Sequence, residues 1–363
     1  MTFITTPADV QADIKAEVRG RIGFITLNRP KALNALSLGM VRDLTRILTE
    51  WAGQTGILAV AIRGSNKEGV FGAFCAGGDI RFLHQAATEN NPDLGAFFAE
   101  EYALNYLIHN YPKPYIAFMD GVVMGGGMGI SQGASFRVLT ERSKISMPEV
   151  AIGFFPDVGG SHFLSKCPGN LGNYLALTGV TLNGEDALYA NLGDWILASD
   201  HINVFLEKLE TLSSNSPVAE QVKKILLGLG ARNASINPPI AERRQVIDAI
   251  FSLNSVVDII AGLDHAAIDG PAWIGETAAL MKQRSPIAMV GARETIHRGK
   301  KLSISECFAM ELALGARWIE VGDFIEGIRA LIIDKDNSPQ WAYTLPELTE
   351  QKIQSLFPSL PKI

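Results

Sequence analysis

The chain has 363 residues, 47% hydrophobic and 19% charged, an ordinary globular composition with length enough for a large core plus an added subdomain. No run approaches the ~20 apolar residues of a membrane span, and a net charge of −6 argues against a nucleic-acid surface and requires a local basic patch for any polyanionic ligand. Cys75, Cys167 and Cys307 form no disulfide or CxxC pattern, and the six histidines form no HExxH pair, so no metal site is expected. The N-terminal stretch MTFITTPADVQADIKAEV has neither the apolar centre of a secretory signal nor the Arg-rich, acid-poor character of a transit peptide. A cytoplasmic protein is therefore expected.

In chain order, residues 16–28 predict a hairpin with Gly20 in the turn. Ser37 starts a helix with Leu38, Val41, Leu44 and Leu48 on one face. LAVAIRG (58–64) predicts a short buried strand, followed by a glycine-rich loop over 64–78 and a helix from about Asp79. A further helix covers 96–109. PYIAFMDG (114–121) predicts a strand running into VVMGGGMG, and Phe136–Thr140 another strand. Strands alternating with helices imply an α/β class with largely parallel pairing. Beyond residue 200 the periodicity is helical, over His201–Leu212, Ala241–Ser252, Pro271–Gln283, Pro286–His297, Ser303–Ile319 and Phe324–Ile333. The polar, proline-marked stretch 213–240 puts a soft boundary near 200–240. A core domain over 1–200 and a helical region over 201–363 are expected.

Five features carry possible chemistry. Phe74-Cys75-Ala76-Gly77-Gly78-Asp79 is a strand-to-helix turn whose tight glycines leave N–H groups exposed, or it is a plain connection. Met124-Gly125-Gly126-Gly127-Met128-Gly129 concentrates glycines that are costly to order, which suits close approach of a ligand to the backbone or tight helix packing. It is neither a dinucleotide fingerprint nor a phosphate loop. Two such turns could converge on one oxygen as a backbone oxyanion hole. Glu149 and Asp157 stand in an apolar, turn-rich segment that would raise a carboxyl pKa, with a surface glutamate and a helix-capping aspartate as the plain alternatives. Glu101 shares a helix face with Phe97, Leu104 and Ile108, where a carboxylate needs a partner or a role. Gly129-Ile130-Ser131-Gln132-Gly133 fits the GxSxG pattern of serine hydrolases, but Ser131 falls inside the predicted helix rather than at a strand end.

The segments IGFITLNRPKALNAL (22–36), AFCAGGDI (73–80), KPYIAFMDGVVMGGGMGI (113–130) and MPEVAIGFFPDVGG (147–160) together resemble the crotonase superfamily of enoyl-CoA hydratases and isomerases. The resemblance implies a spiral of ββα repeats followed by helices, assembled as a homo-oligomer built from trimers. It implies an acyl-coenzyme A substrate, with no separate cofactor, metal, nucleic acid or membrane partner. It gives the oxyanion N–H groups to Gly78 and Gly126. Of the two glutamates of a hydratase, one corresponds to Glu149 and the other to Gly129, so one acid is missing. Asp157, Glu101 and the segment EGIRALIIDKDNSPQW (326–341) instead resemble the branch that hydrolyses 3-hydroxyisobutyryl-CoA, a step of valine catabolism. On that resemblance Glu149 is nucleophile or base, Asp157 binds the 3-hydroxyl or moves protons, and Glu101 completes the polar pocket. Arg29 and Lys31 are expected near the coenzyme A phosphates, with Ala76, Gly77 and Asp79 against the adenine. A hydratase or isomerase, a serine thioesterase acting through Ser131, and a non-catalytic coenzyme A-binding protein are the alternatives.

Overall fold

The expected hairpin is present. Strands β1 (Ile14–Arg19) and β2 (Ile22–Leu27) pair antiparallel, with Gly20 at φ +60° in the turn. The computed structural model describes residues 13–66 and 72–357. Residues 67–71 of the glycine-rich loop and most of the N-terminal stretch considered above lie outside the described residues.

The other strands are β3 (Ala59–Gly64), β4 (Ala73–Cys75), β5 (Tyr115–Met119), β6 (Val122–Met124), β7 (Phe136–Leu139), β8 (Lys144–Ser146) and β9 (Trp195–Ile196). Among the described residues they form a six-stranded sheet ordered β1-β2-β3-β5-β7-β9 and a three-stranded sheet ordered β4-β6-β8. The pairs β2–β3, β3–β5, β5–β7 and β7–β9 are parallel, as expected of strands joined through helices.

By its internal contacts the chain divides into two compact units. The first comprises the segments up to Gly78, Ala103–Ile145 and Leu182–Pro239; the second comprises Asp79–Tyr102, Ser146–Thr181 and the chain from Ile240 onward.

In the first unit the large sheet is covered on both faces. Ile22, Phe24, Ala61, Ile116, Phe118 and Val138 pack with Phe205, Leu209, Val222 and Leu226, which belong to the helices Ile202–Leu209 and Val218–Gly228. The second of these helices lies inside the stretch read from sequence as polar and proline-marked. Its apolar residues Val218, Val222, Ile225, Leu226 and Leu229 make a narrow stripe that closes against the sheet. The helix Leu38–Gly53, capped by the Ser37 hydroxyl accepting from the Met40 N–H at 3.2 Å, takes the opposite face. A Cβ at Gly23 would stand 2.3 Å from the Trp51 ring, so the helix can seat there only over glycine.

The second unit is mainly helical. Helix Pro286–Gly299 lies against Gly160–Ser165 and Leu171–Thr178. The contact with Gly160–Ser165 is close enough that a Cβ at Gly299 would meet the Ser161 carbonyl at 2.1 Å. Trp318, on helix Ile304–Val321, is fully buried and donates its indole N–H to the Gly153 carbonyl at 2.9 Å.

One side chain fixes the loop that leads toward the glycine turns. Asn34 is fully buried at φ +57°. Its Nδ2 donates to the carbonyls of Ser65 (3.0 Å) and Ala73 (2.8 Å), and its Oδ1 accepts from the Arg29 N–H at 2.9 Å. Asn34→Ala leaves those groups without partners and places alanine in a left-handed backbone that asparagine tolerates better. It should lower stability by about 2–4 kcal/mol in denaturant unfolding. A loss below about 0.5 kcal/mol would show that the loop is held by other contacts.

Candidate active site

The two glycine turns meet within the first unit. The Leu36 N–H donates to the Gly77 carbonyl (2.8 Å) and the Ala76 N–H to the Leu33 carbonyl (3.0 Å), and Leu36 forms an isolated parallel bridge with Gly78. Gly77 has φ +111°, and a Cβ there would lie 3.4 Å from the Met124 carbonyl and 3.7 Å from the Gly126 nitrogen. The turn at 76–78 therefore rests against the turn at 124–126.

Each glycine of the triple has its own reason. Gly125 takes φ +47°, ψ −120°, outside the range of ordinary L-residues. Gly126 is the first residue of helix Gly126–Gln132, so its N–H has no acceptor within the helix. Gly127 lets that helix touch β4, since a Cβ there would stand 2.2 Å from the Cys75 carbonyl. Close packing and an N–H without an acceptor inside the helix are thus both present. Gly129 is buried farther along the same helix.

Ser131 is no hydrolase elbow. It is fully buried in this helix, and its hydroxyl donates back to the Gly127 carbonyl at 2.8 Å. Arg29 stands at the start of the short turn Pro30–Ala32, its guanidinium donating to the Ala35 carbonyl at 2.7 Å, and Lys31 is exposed on that turn. Asp79 caps helix Ile80–Thr88, accepting from the Phe82 N–H at 3.3 Å.

The carboxyl groups gather in the second unit. Glu101 lies on helix Asp93–His109 and is 2% exposed, and its Oε1 has no hydrogen-bond partner. Glu149 opens the 3-10 turn Glu149–Ile152, also buried, with Oε2 lacking a partner. Asp157 is buried in the turn before helix Gly160–Ser165 and does not cap it. Its carboxylate accepts the Tyr102 hydroxyl at 2.6 Å. Aromatic rings line the neighbourhood: Phe98 stacks on Phe154, and Tyr102 packs against Phe98 and Phe308.

Two members of this cluster escaped the sequence reading. Tyr102, next to Glu101, is the donor to Asp157. Glu311, fully buried on helix Ile304–Val321, accepts from the Gly159 N–H (2.7 Å), the Ser161 N–H (2.9 Å) and the Ser161 hydroxyl. Glu311 shares a helix face with Cys307, Leu314 and Trp318, the pattern that singled out Glu101.

Burial is the main cause of the electrostatics. It pushes Asp157 up to about 6, against the downward pull of the Tyr102 hydrogen bond. Glu101 is raised well above the usual glutamate value by burial and then by the charge of Asp157. Glu149 is raised likewise by burial and by the charges of Asp157 and Glu101, and burial lifts Glu311 to about 8 despite its three donors. At neutral pH such a group holds protons on some carboxyls and negative charge on others, which is what acid–base chemistry on a bound substrate needs. Among the described residues no group of three or more His, Cys, Asp or Glu side chains is arranged to hold a metal ion, and no helix is long and apolar enough to cross a membrane.

A profile for enoyl-CoA hydratase/isomerase matches residues 22–357. The chain belongs to the enoyl-CoA hydratase/isomerase family. Within this family it is 38% identical over 353 residues to the mitochondrial 3-hydroxyisobutyryl-CoA hydrolase of Danio rerio, covering 96% of this chain and 90% of the relative. The human protein of the same name is 36% identical over 356 residues, covering 97% and 90%. Among solved structures, a carnitinyl-CoA dehydratase from Mycobacterium thermoresistibile is 37% identical with a TM-score of 0.87, covering 97% of this chain and 98% of that one. An enoyl-CoA hydratase from Rhodobacter sphaeroides 2.4.1 is 34% identical with a TM-score of 0.85, covering 95% and 97%. The α/β crotonase class with a helical C-terminal region, expected from the sequence motifs, is the class of this family member.

One expectation is corrected. The cytoplasmic assignment is overturned by the family relatives, which are named mitochondrial. It rested on the composition of the first residues, whereas the family match begins at residue 22 and the fold and acid cluster are the same chemistry in any compartment.

The buried carboxyls make stability depend on pH. In the unfolded chain Glu101 ionises near the ordinary glutamate value, while in the fold its pKa is held well above 4.5. Its contribution to stability is thus complete below the unfolded value and is lost as pH rises through the folded one. Glu101→Gln removes that loss. Its stability relative to the native sequence should increase as pH rises above the ordinary glutamate range in denaturant unfolding. A difference that is flat or falls with pH would contradict the burial of an ionisable Glu101 without a compensating cation.

Proposed function

We propose that this protein hydrolyses a short branched 3-hydroxyacyl-CoA thioester, 3-hydroxyisobutyryl-CoA giving 3-hydroxyisobutyrate and coenzyme A. The observation that carries the reading is the buried cluster of Asp157, Tyr102, Glu101 and Glu149, with Gly129 offering no carboxyl at the position the resemblance gives to the first glutamate of a hydratase. Relatives of nearly full-length similarity bearing the hydrolase name support it.

In this proposal the Gly78 and Gly126 N–H groups donate hydrogen bonds to the thioester oxygen as it takes on negative charge, a contribution of about 3–4 kcal/mol for a donor in acyl-transfer sites. Glu149 either attacks the carbonyl carbon to give a mixed anhydride that water then opens, or takes a proton from water as it attacks. By both routes the C–S bond breaks, a C–O bond forms and the thiolate leaves with a proton as coenzyme A. Asp157, oriented by Tyr102, binds the 3-hydroxyl, and Glu101 completes the polar wall. Arg29 and Lys31 meet the phosphates, with Ala76, Gly77 and Asp79 beside the adenine. Coenzyme A is part of the substrate rather than a cofactor, and assembly from trimers belongs to the same proposal.

Hydration of an enoyl-CoA is the second reading, favoured by the names of the two similar solved structures. The back-bonded hydroxyl of Ser131 supports neither reading and disfavours a serine thioesterase.

A site built for a hydroxyl discriminates strongly against an analogue lacking it, by up to ~10⁴-fold. Isobutyryl-CoA should therefore be cleaved far more slowly than 3-hydroxyisobutyryl-CoA. Asp157→Ala should slow the hydroxylated substrate and shrink the ratio of the two kcat/KM values. If that ratio stays constant while both rates fall, Asp157 moves protons and does not recognise the hydroxyl.

A further inference from the structure

The turn that carries Asp157 is held in an unfavourable conformation by a residue about 150 positions away in sequence. Val158 has φ +52° and Gly159 φ +88°. A β-branched residue in the left-handed region is strained and persists only where surrounding contacts over-determine it. The reversal turns the N–H groups of Gly159 and Ser161 to the same side, and both donate to the Glu311 carboxylate, at 2.7 and 2.9 Å, with the Ser161 hydroxyl as a third donor. The Gly160 N–H closes back on the Asp157 carbonyl at 2.7 Å. Glu311 thus clamps the turn directly after Asp157.

The same helix face also fixes the other end of the Tyr102–Asp157 hydrogen bond. Phe308, one turn before Glu311 on helix Ile304–Val321, packs its ring against Tyr102 at 6.0 Å between centroids. Its Cζ would lie 3.2 Å from a Cβ at Gly159. One face therefore seats both the donor Tyr102 and the turn bearing the acceptor Asp157.

Burial and the charge of Asp157 favour the protonated form of this fully buried carboxyl, while its donors from Gly159 and Ser161 favour the ionised one. Its retention makes sense where two N–H groups and a hydroxyl must be gripped at once. A carboxyl group offers one oxygen to the Gly159 N–H and the other to the Ser161 N–H, whereas glutamine would turn an N–H toward one of these donors.

We propose that Glu311 is a positioning residue for the reaction: by gripping Gly159 and Ser161 it aims the Asp157 carboxylate at Tyr102. The proposal rests on the reading in which Asp157 serves thioester cleavage. Glu311 touches no substrate and acts through Asp157 alone.

The test is a double-mutant cycle on hydrolysis of 3-hydroxyisobutyryl-CoA, using the full chain, Glu311→Gln, Asp157→Asn and the double variant, with folding checked by circular dichroism. Glu311→Gln should lower kcat by about tenfold or more and change KM little, because it disturbs geometry used in the reaction step. In the Asp157→Asn background the same substitution should cost less than about twofold, since the group it aims is already disabled. An undiminished loss in that background would show that Glu311 acts on the fold at large and would overturn the proposal. Near-native turnover by Asp157→Asn itself would overturn the role of Asp157, and the Glu311 proposal with it. Should Glu311→Gln fail to fold, Ser161→Ala removes only the hydroxyl donor. It should lower kcat about threefold in the native sequence and leave the Asp157→Asn rate unchanged; equal losses in both backgrounds would overturn the proposal.

Discussion

The burial of several carboxyl groups around Asp157 is the constraint on which the rest of the second unit depends. Ionised carboxylates out of water are stable only when paired or hydrogen-bonded, and otherwise they keep their protons. Asp157 is stabilised as an anion by the Tyr102 hydroxyl, while Glu101 and Glu149 each leave an oxygen without a partner and feel the charge of Asp157. A fold assembled for stability alone would put apolar side chains there. The aromatic packing of Phe98, Phe154 and Phe324 excludes water from the neighbourhood and so raises the cost of charge there while strengthening each remaining electrostatic contact.

The first unit solves a different problem, which is to pack two glycine turns against each other without leaving the backbone loose. Asn34 ties the 29–36 loop to the ends of β3 and β4, and Leu36 pairs with the Gly77–Gly78 turn. Gly125 reverses the chain and Gly127 brings the helix down onto β4, leaving Gly126 at the helix start. As proposed oxyanion donors, the Gly78 and Gly126 N–H groups would serve hydrolysis and hydration alike, because both reactions put negative charge on the thioester oxygen. In the proposed reading the two reactions differ in the carboxyls they use, and this chain has glycine at residue 129 and aspartate at residue 157.

Much of this was legible in the sequence where local rules govern. The Gly20 hairpin, the Ser37 cap and the apolar stripe carrying Glu101 follow from turn chemistry, capping and periodicity, and each is present. Asp157 was open between a cap and a buried acid, since only tertiary structure shows that the next helix starts at Gly160 and that Tyr102 faces it. Helix Val218–Gly228 was hidden by flanking prolines and serines, and helix Val256–Ala266 by a polar surround, because their stripes are completed by packing. Glu311 left a readable trace, a carboxylate on an apolar helix face, but its partners are about 150 residues away in sequence. Compartment had no trace in the residues that build the fold, and composition of the N-terminal stretch was a poor substitute.

The central claim is that this acid cluster cleaves a thioester rather than hydrating a double bond. It is tested most directly by giving the purified protein 3-hydroxyisobutyryl-CoA and crotonyl-CoA in parallel, following free thiol with a thiol reagent and hydration by loss of the conjugated enoyl absorbance. The account predicts steady release of coenzyme A from 3-hydroxyisobutyryl-CoA and little hydration of crotonyl-CoA. Rapid hydration of crotonyl-CoA with no thiol released from the hydroxylated thioester would contradict it.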